Sequence, residues 1–386
     1  MSRLPLQPVT VAAIALLAGV YFVRSRAVSR PRRPPGPPGL PLLGNVLQAP
    51  AKHLATYFRE LCEEYGGFVS LNLAGFAMFL IGDIRLAKEV LEKRSAKFSS
   101  RPTVPYVRYH VDPGEVYWGL GKQDETHFIA RKLTAGQMAG VRAGKTEPLQ
   151  QFEALLTMTH LLDDGGKNWF NHMDRVSASM VLTAAFGLHC PTGQEPDLKE
   201  CIAETIALSN PAASIMNFLP FLDMIPGPMP WRKRAHTYRK RDDALYDKLI
   251  TRAVAGEASG MNTWAAAFAR EDKPEGDQRR LMNQFAGTAV SLHTFILACI
   301  LYPEWIPHAQ RELDTIVGED RLPSFKDRPR LPFVEAIVRE TLRWRPALRF
   351  GLPHQSTADD VVEYKGTEYF IPKGSIIFAV SGSILY

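Results

Sequence analysis

Apolar and polar positions follow three different patterns along this chain. The first is an unbroken apolar run. Leu4 to Val23 carries no charge, and Val9 to Val23 (VTVAAIALLAGVYFV) is apolar apart from Thr10. A stretch of this length is about what a helix needs to cross a bilayer. The second pattern is helical spacing, with apolar residues recurring every three or four positions. It predicts a helix at 52–66, another at 86–102 ending before Pro102, and mostly helix from about 125 to 320. Breaks are expected at Gly165–Asn168, Pro191–Pro196, Pro220–Pro230 and Gly256–Gly260. The same spacing returns with Phe333, Ile337, Thr341 and Leu342. The third pattern lies in GFVSLNLAGFAMFLIGD (67–83), whose apolar and β-branched runs break at Gly75 and Gly82 and predict a β-hairpin. No internal repeat is present.

Charge sharpens the reading of the N-terminus. The chain has 386 residues, with 46 basic against 40 acidic side chains, a formal charge of +6. Much of the excess sits in Arg24, Arg26, Arg30, Arg32 and Arg33, directly after the apolar run. A basic flank of this kind reads as stop-transfer and keeps the bulk of the chain cytoplasmic. The rival reading is a cleaved signal peptide, which calls for a basic start and a small-x-small site; here Arg3 is the only early charge. No other basic run of that density carries interleaved aromatics, so nucleic-acid binding is not expected. Six prolines in PRRPPGPPGLPLLGN (31–45) rule out helix and favour extended backbone, a stiff linker after the span. Cys62, Cys190, Cys201 and Cys299 are too few and too scattered for a disulfide framework.

The chemistry centres on RETLRWRP (339–346). Glu340 and Arg343 are three apart on a helix, hence neighbours on one face, and can form a charge-assisted pair. An ExxR alone is common; its context is not. It is followed by GLPHQSTADD and YFIPKGSIIFAV. No HExxH, no paired Cys/His spacing, no phosphate-binding glycine loop after a strand and no GxSxG elbow is present, so no metal site, nucleotide fold or hydrolase is supported.

The run 331–378 closely resembles the helix and following sheet strands of the cytochrome P450 superfamily, in a fungal, membrane-anchored form. Helix, hairpin, helix and Ser-Arg-Pro over 52–102 are similar to that family's N-terminal sheet region. The resemblance implies a mainly α fold with small β-sheets near both ends, preceded by an N-terminal transmembrane helix: anchor and flank at 1–30, a proline-rich hinge at 31–45, and the P450-like domain at 46–386. It implies a haem cofactor and a monooxygenase that inserts one oxygen atom of dioxygen into a lipophilic substrate, of the kind met in secondary metabolism. NADPH-cytochrome P450 reductase would be the electron-donating partner, at the endoplasmic reticulum membrane. Glu340 and Arg343 would then be structural, pinning their helix as a buried pair. Arg131 and His354 would bind haem propionates, although Arg131 beside Lys132 also reads as a solvated helix charge. Leu348, Phe350 and Leu352 would line the substrate pocket. Thr288 aligns with the family's proton-relay alcohol, but Ala286 and Gly287 stand where the acid is expected, and a core or capping threonine is the other reading. The haem-ligand loop FxxGxRxCxG is absent, so the expectation is a member truncated before its cysteine and inactive as it stands; a non-catalytic, partner-binding or decoy remnant at the membrane is the alternative.

Overall fold

The computed structural model describes residues 32–41, 43–50, 53–73, 75–102, 106, 135, 139–192, 224–255, 263, 287–346 and 351–384. Among these no helix is long and apolar enough to cross a membrane; the predicted span, Leu4 to Val23, lies outside them.

The described residues are mostly helical with two small sheets. Helix α1 (Leu54–Tyr65) leads into the hairpin of β1 (Phe68–Leu73) and β2 (Phe76–Ile81). Their register runs from Phe68 opposite Ile81 to Leu73 opposite Phe76. The turn needs Gly75, whose φ of 99° excludes ordinary side chains. The predicted hairpin therefore forms with its break where the glycine stands.

Beyond it, the helix expected over 86–102 is not continuous. It comprises α2 (Ile84–Lys88), a π-helical turn over Glu89–Lys93, and α3 (Ser95–Phe98). Asp83 starts it by accepting from the backbone N–H groups of Arg85 and Leu86. The helix ends at Phe98 because the next residues pair as an extended strip with the far end of the chain, described below.

The sheet is completed from that far end. β6 (Ile376–Ala379) lies parallel to β2, and β3 (His354–Gln355) lies antiparallel to β6, in the order β1-β2-β6-β3. A separate hairpin pairs β4 (Asp360–Tyr364) with β5 (Thr367–Ile371). Period-two alternation buries both faces of the main sheet. Phe68, Phe79, Ile81 and Ile377 point to one side and pack with Val90, Phe98, Val362 and Ile371. Val69, Leu71, Met78, Leu80 and Phe378 point to the other and pack against Phe58, Leu61 and Cys62 of α1. The short α10 (Ser381–Ile384) then folds onto α1.

The proline-rich segment runs along the free edge of β1. Pro35 carbonyl accepts from Ser70 N–H at 2.9 Å, Asn45 N–H donates to the Asn72 carbonyl at 2.6 Å, and Asn72 N–H donates to Asn45 Oδ1 at 2.8 Å. A Cβ on Gly36 would sit 2.1 Å from the Ser70 oxygen, so only glycine allows this approach. The bonds occupy edge groups that would otherwise invite another strand.

The helical part contains α4 (Glu147–Asp163), α5 (Trp169–Phe186), α6 (Pro230–Val254), α7 (Gly287–Leu301), α8 (Ile306–Ile316) and α9 (Pro332–Trp344). The break expected at 165–168 separates α4 from α5. Asp164 builds it by accepting from the N–H groups of Gly166 and Asn168 and from His172 Nε2. α9 starts against α8: both Glu312 oxygens accept from the Phe333 and Val334 N–H groups at 2.9 and 3.0 Å. A carboxylate there satisfies orphan donors and complements the helix dipole.

Candidate functional site

The segment Lys97–Arg101, bridged at Ser100 to Gln355, and the strip Pro353–Thr357 zip together and create the site. Gln355 N–H donates to the Ser100 carbonyl at 2.7 Å, and Thr357 N–H to the Lys97 carbonyl at 2.8 Å. Arg101 Nη1 donates to the Pro353 carbonyl at 3.0 Å. His354 Nδ1 meets the Phe98 carbonyl at 2.7 Å. A carbonyl only accepts, so Nδ1 carries the proton. The neighbouring Asp360 clamps the same strip: Lys97 Nζ lies at 2.7 Å and Arg94 Nη1 at 3.1 Å from its two oxygens.

His354 and Arg101 are thus side by side, both half-buried, on paired segments more than 250 residues apart in sequence. Burial first, then the Arg101 charge, hold the imidazole below its usual range, and the Phe98 carbonyl only partly offsets this. Burial likewise lowers Arg101. Among the described residues no carboxylate pairs with either group. Arg101, with no carboxylate partner among the described residues, can donate to an anionic group as it stands, whereas His354 could donate from Nε2 only as the imidazolium. Nothing in the sequence pattern singles out Arg101. Apolar spacing places Ser100 and Arg101 at the end of a helix that stops before Pro102, and only the pairing with Pro353–Thr357 brings the guanidinium beside His354.

The Glu340–Arg343 pair forms as its spacing predicts. Arg343 Nε and Nη2 donate to the two Glu340 oxygens at 2.8 and 2.6 Å, a bidentate fork. The expectation that it is buried is corrected: the side chains are 60% and 42% exposed. Exposed pairs contribute about 0–1 kcal/mol, so the large cost of an incomplete buried pair does not arise here. Thr288 lies in the first turn of α7. Leu352 is 39% exposed, two residues before His354. Arg131, Leu348 and Phe350 lie outside the described residues.

A second polar cluster lies between α4 and α5. Glu153, fully buried, accepts from Arg175 Nη1 at 2.8 Å and Ser179 Oγ at 2.6 Å, and its Oε1 lies 2.9 Å from His189 Nδ1. The residue types are those of a hydrolase triad, but the geometry is not. Ser179 Oγ and Glu153 both approach the same ring nitrogen, so the imidazole cannot pass a proton from one to the other. Ser179 is fully buried as well, which closes it to substrate.

The comparisons with known proteins agree with one another. The family model for cytochrome P450 matches residues 34–386. The chain belongs to the cytochrome P450 family. It is 33% identical to cytochrome P450 monooxygenase 58 of Postia placenta over 391 residues, covering 95% of this chain and 72% of that protein. It is 32% identical to a cytochrome P450 monooxygenase of Armillaria gallica, covering 93% and 71%, and 30% identical to the cytochrome P450 monooxygenase peniB of Penicillium patulum, covering 96% and 70%. The P450 family is one of haem-dependent oxidoreductases that use a redox partner and act on lipophilic substrates. The haem propionates are carboxylates, and the uncompensated His354–Arg101 pair fits that edge of the cofactor.

Proposed function

We propose that this P450 is built as a membrane-anchored monooxygenase, whose reaction inserts one oxygen atom of dioxygen into a lipophilic organic substrate once haem has a cysteine ligand, and that these 386 residues alone are inactive. Its electrons come from NADPH through cytochrome P450 reductase, on the cytoplasmic side of the endoplasmic reticulum membrane. The observation that carries the reading is the half-buried His354–Arg101 pair, which has no carboxylate partner among the described residues. Haem, when bound, would supply dioxygen activation, which a cysteine thiolate ligand promotes. The chain's residues do the rest: His354 and Arg101 fix the cofactor edge, aided by Arg131. Leu348, Phe350 and Leu352 offer apolar surface to the substrate, and Thr288 holds a proton donor on α7. The uncharged Leu4–Val23 run and its arginine flank support the anchor.

The thiolate is a separate matter. These 386 residues contain no FxxGxRxCxG. Burial pushes the Cys62 thiol up to about 11 and also raises Cys299, so neither is poised as an anionic ligand. The expected spectrum of the haem-loaded, reduced chain under carbon monoxide therefore lacks the red-shifted thiolate Soret band; its appearance would overturn this assignment. A variant extended after Tyr386 by a segment bearing FxxGxRxCxG should show that band. With reductase and NADPH, that extended protein should move label from heavy-oxygen gas into a lipophilic substrate. A thiolate band without any oxygen incorporation across such substrates would sink the monooxygenase reading.

A further inference from the structure

His354 has two ring nitrogens with different duties. Nδ1 donates to the Phe98 carbonyl at 2.7 Å, and Nε2 has no hydrogen-bond partner among the described residues. In the neutral ring this leaves Nε2 as an acceptor. A carboxylate also only accepts, so a neutral His354 cannot bind one without giving up Phe98. The Phe98 bond lies within a continuous strip of pairing, between Lys97–Thr357 and Ser100–Gln355, and it anchors the ring to the backbone.

We infer that this P450 takes up one proton at His354 when a porphyrin carboxylate binds, so that the imidazolium donates from Nδ1 to Phe98 and from Nε2 to the carboxylate. The inference rests on the haem-edge reading above and adds its proton linkage. Among the described residues the charges facing the ring are few. From the 97–101 segment come Arg101 and Lys97, the latter engaged by Asp360. β6, which pairs with His354, offers only Ile376 to Ala379, and the other residue of β3 is Gln355. Burial and Arg101 both disfavour the imidazolium before binding. An arriving carboxylate reverses the Arg101 contribution by placing a negative charge beside both cations. Propionates are already ionised near neutrality, so the proton must come from solvent.

The test uses the full chain in detergent with zinc protoporphyrin IX, which is diamagnetic and carries the same two propionates. Calorimetry in buffers of different ionisation enthalpy at about pH 7.5 should register uptake of about one proton. Affinity should fall roughly tenfold per pH unit above neutrality. The dimethyl ester should bind without uptake, and His354→Gln should abolish the pH slope. Imidazole nitrogen NMR, assigned through that variant, should show only Nδ1 protonated in the free chain and both nitrogens protonated with porphyrin. If porphyrin shifts the His354 signals but the ring stays neutral, with the proton moved to Nε2 and no uptake, the linkage is overturned and the haem-edge site stands. If the His354 signals ignore porphyrin, or the ester behaves like the acid, the haem-edge reading fails and the linkage with it.

Discussion

The sheet region and the α4–α5 pair bury their centres in opposite ways. Around the sheet, both cores are apolar, and Phe68, Phe79, Ile81, Val362, Ile371 and Ile377 are all almost fully removed from water. Between α4 and α5 the centre is an ion pair, Glu153 with Arg175, 0% and 1% exposed. The outside of α4 is apolar, with Phe152, Leu155, Met158 and Leu162 at 46–81% exposure. An apolar core draws its stability from area summed over many side chains. An ionic core depends on each partner satisfying the other, because a lone buried charge is far more costly than the pair. The two regions should therefore answer differently to single and to compensated substitutions.

The largest expected effect tests that difference directly. Glu153→Ala leaves Arg175 buried without its carboxylate and should cost about 3–5 kcal/mol. Phe79→Ala removes a fully buried ring and should cost a similar amount, about 3–5 kcal/mol, through lost burial and a cavity. The distinction appears in the second step. Replacing Glu153 and Arg175 together by Leu and Met should return stability to within about 1–2 kcal/mol of the parent, since a hydrophobic pair of similar volume replaces the ions. Adding Ile371→Ala to Phe79→Ala should deepen the loss, as both side chains lie in one cluster. Denaturant unfolding of the four variants reads this out. If Leu/Met is no better than Glu153→Ala, the α4–α5 centre is specified by its hydrogen bonds to Thr157, Ser179 and Cys190 rather than by charge pairing.

A smaller effect is expected where the two halves of the sheet region are tied by charge rather than by apolar area. Asp360 accepts from Lys97 and Arg94. Burial alone would raise its pKa, but the hydrogen bonds from Lys97 and Arg94 outweigh it, and the carboxyl is held below its ordinary range. A depressed folded pKa contributes stability that is complete above the unfolded value of about 3.9 and is lost as pH falls through the folded value. Lys97 and Arg94 are 46% and 32% exposed, so solvent screens the pair. Asp360→Asn should accordingly cost about 1 kcal/mol near neutrality. The deficit should shrink as pH drops below about 4, where the parent carboxylate protonates too. A pH-independent deficit would show that shape, not charge, holds α3 to β4.

What could be read from the sequence divides along the same line. The hairpin at 67–83, the α4–α5 break and the ExxR fork are local, set by periodicity, by glycines and by i,i+3 spacing, and each forms where expected. The π-helical interruption at Glu89–Lys93 was not legible. It coincides with Arg94 reaching Asp360 across 266 residues, a contact no local pattern encodes. Arg101 was missed for the same reason, since its neighbour His354 is 253 positions on. The buried Glu153 and Arg175 sit 22 apart and carry no motif at all. The exposure of Glu340 and Arg343 is a different kind of miss: the motif fixes the pair's geometry but not what covers it.

The smallest effect sets backbone strain against a side-chain contact at the tip of the β4–β5 hairpin. Lys365 has φ 51° and Gly366 φ 72°, the pair of left-handed residues that a type I′ turn requires. Left-handed backbone costs a residue such as lysine about 1–2 kcal/mol, and asparagine bears it more easily. Against this, Lys365 Nζ lies 5.2 Å from the centre of the Tyr364 ring, and an exposed cation–π contact contributes about 0.5–1 kcal/mol. The two nearly cancel, with the backbone slightly ahead. Lys365→Asn should therefore stabilise by about 0.5 kcal/mol, seen as a small rise in Tm. Tyr364 also donates to the Gly66 carbonyl at 3.0 Å, so its ring stays tethered when the lysine is gone. A fall in Tm instead would mean that the ring contact outweighs the strain, and that even at this exposed tip the sheet region is held by side-chain packing before backbone geometry.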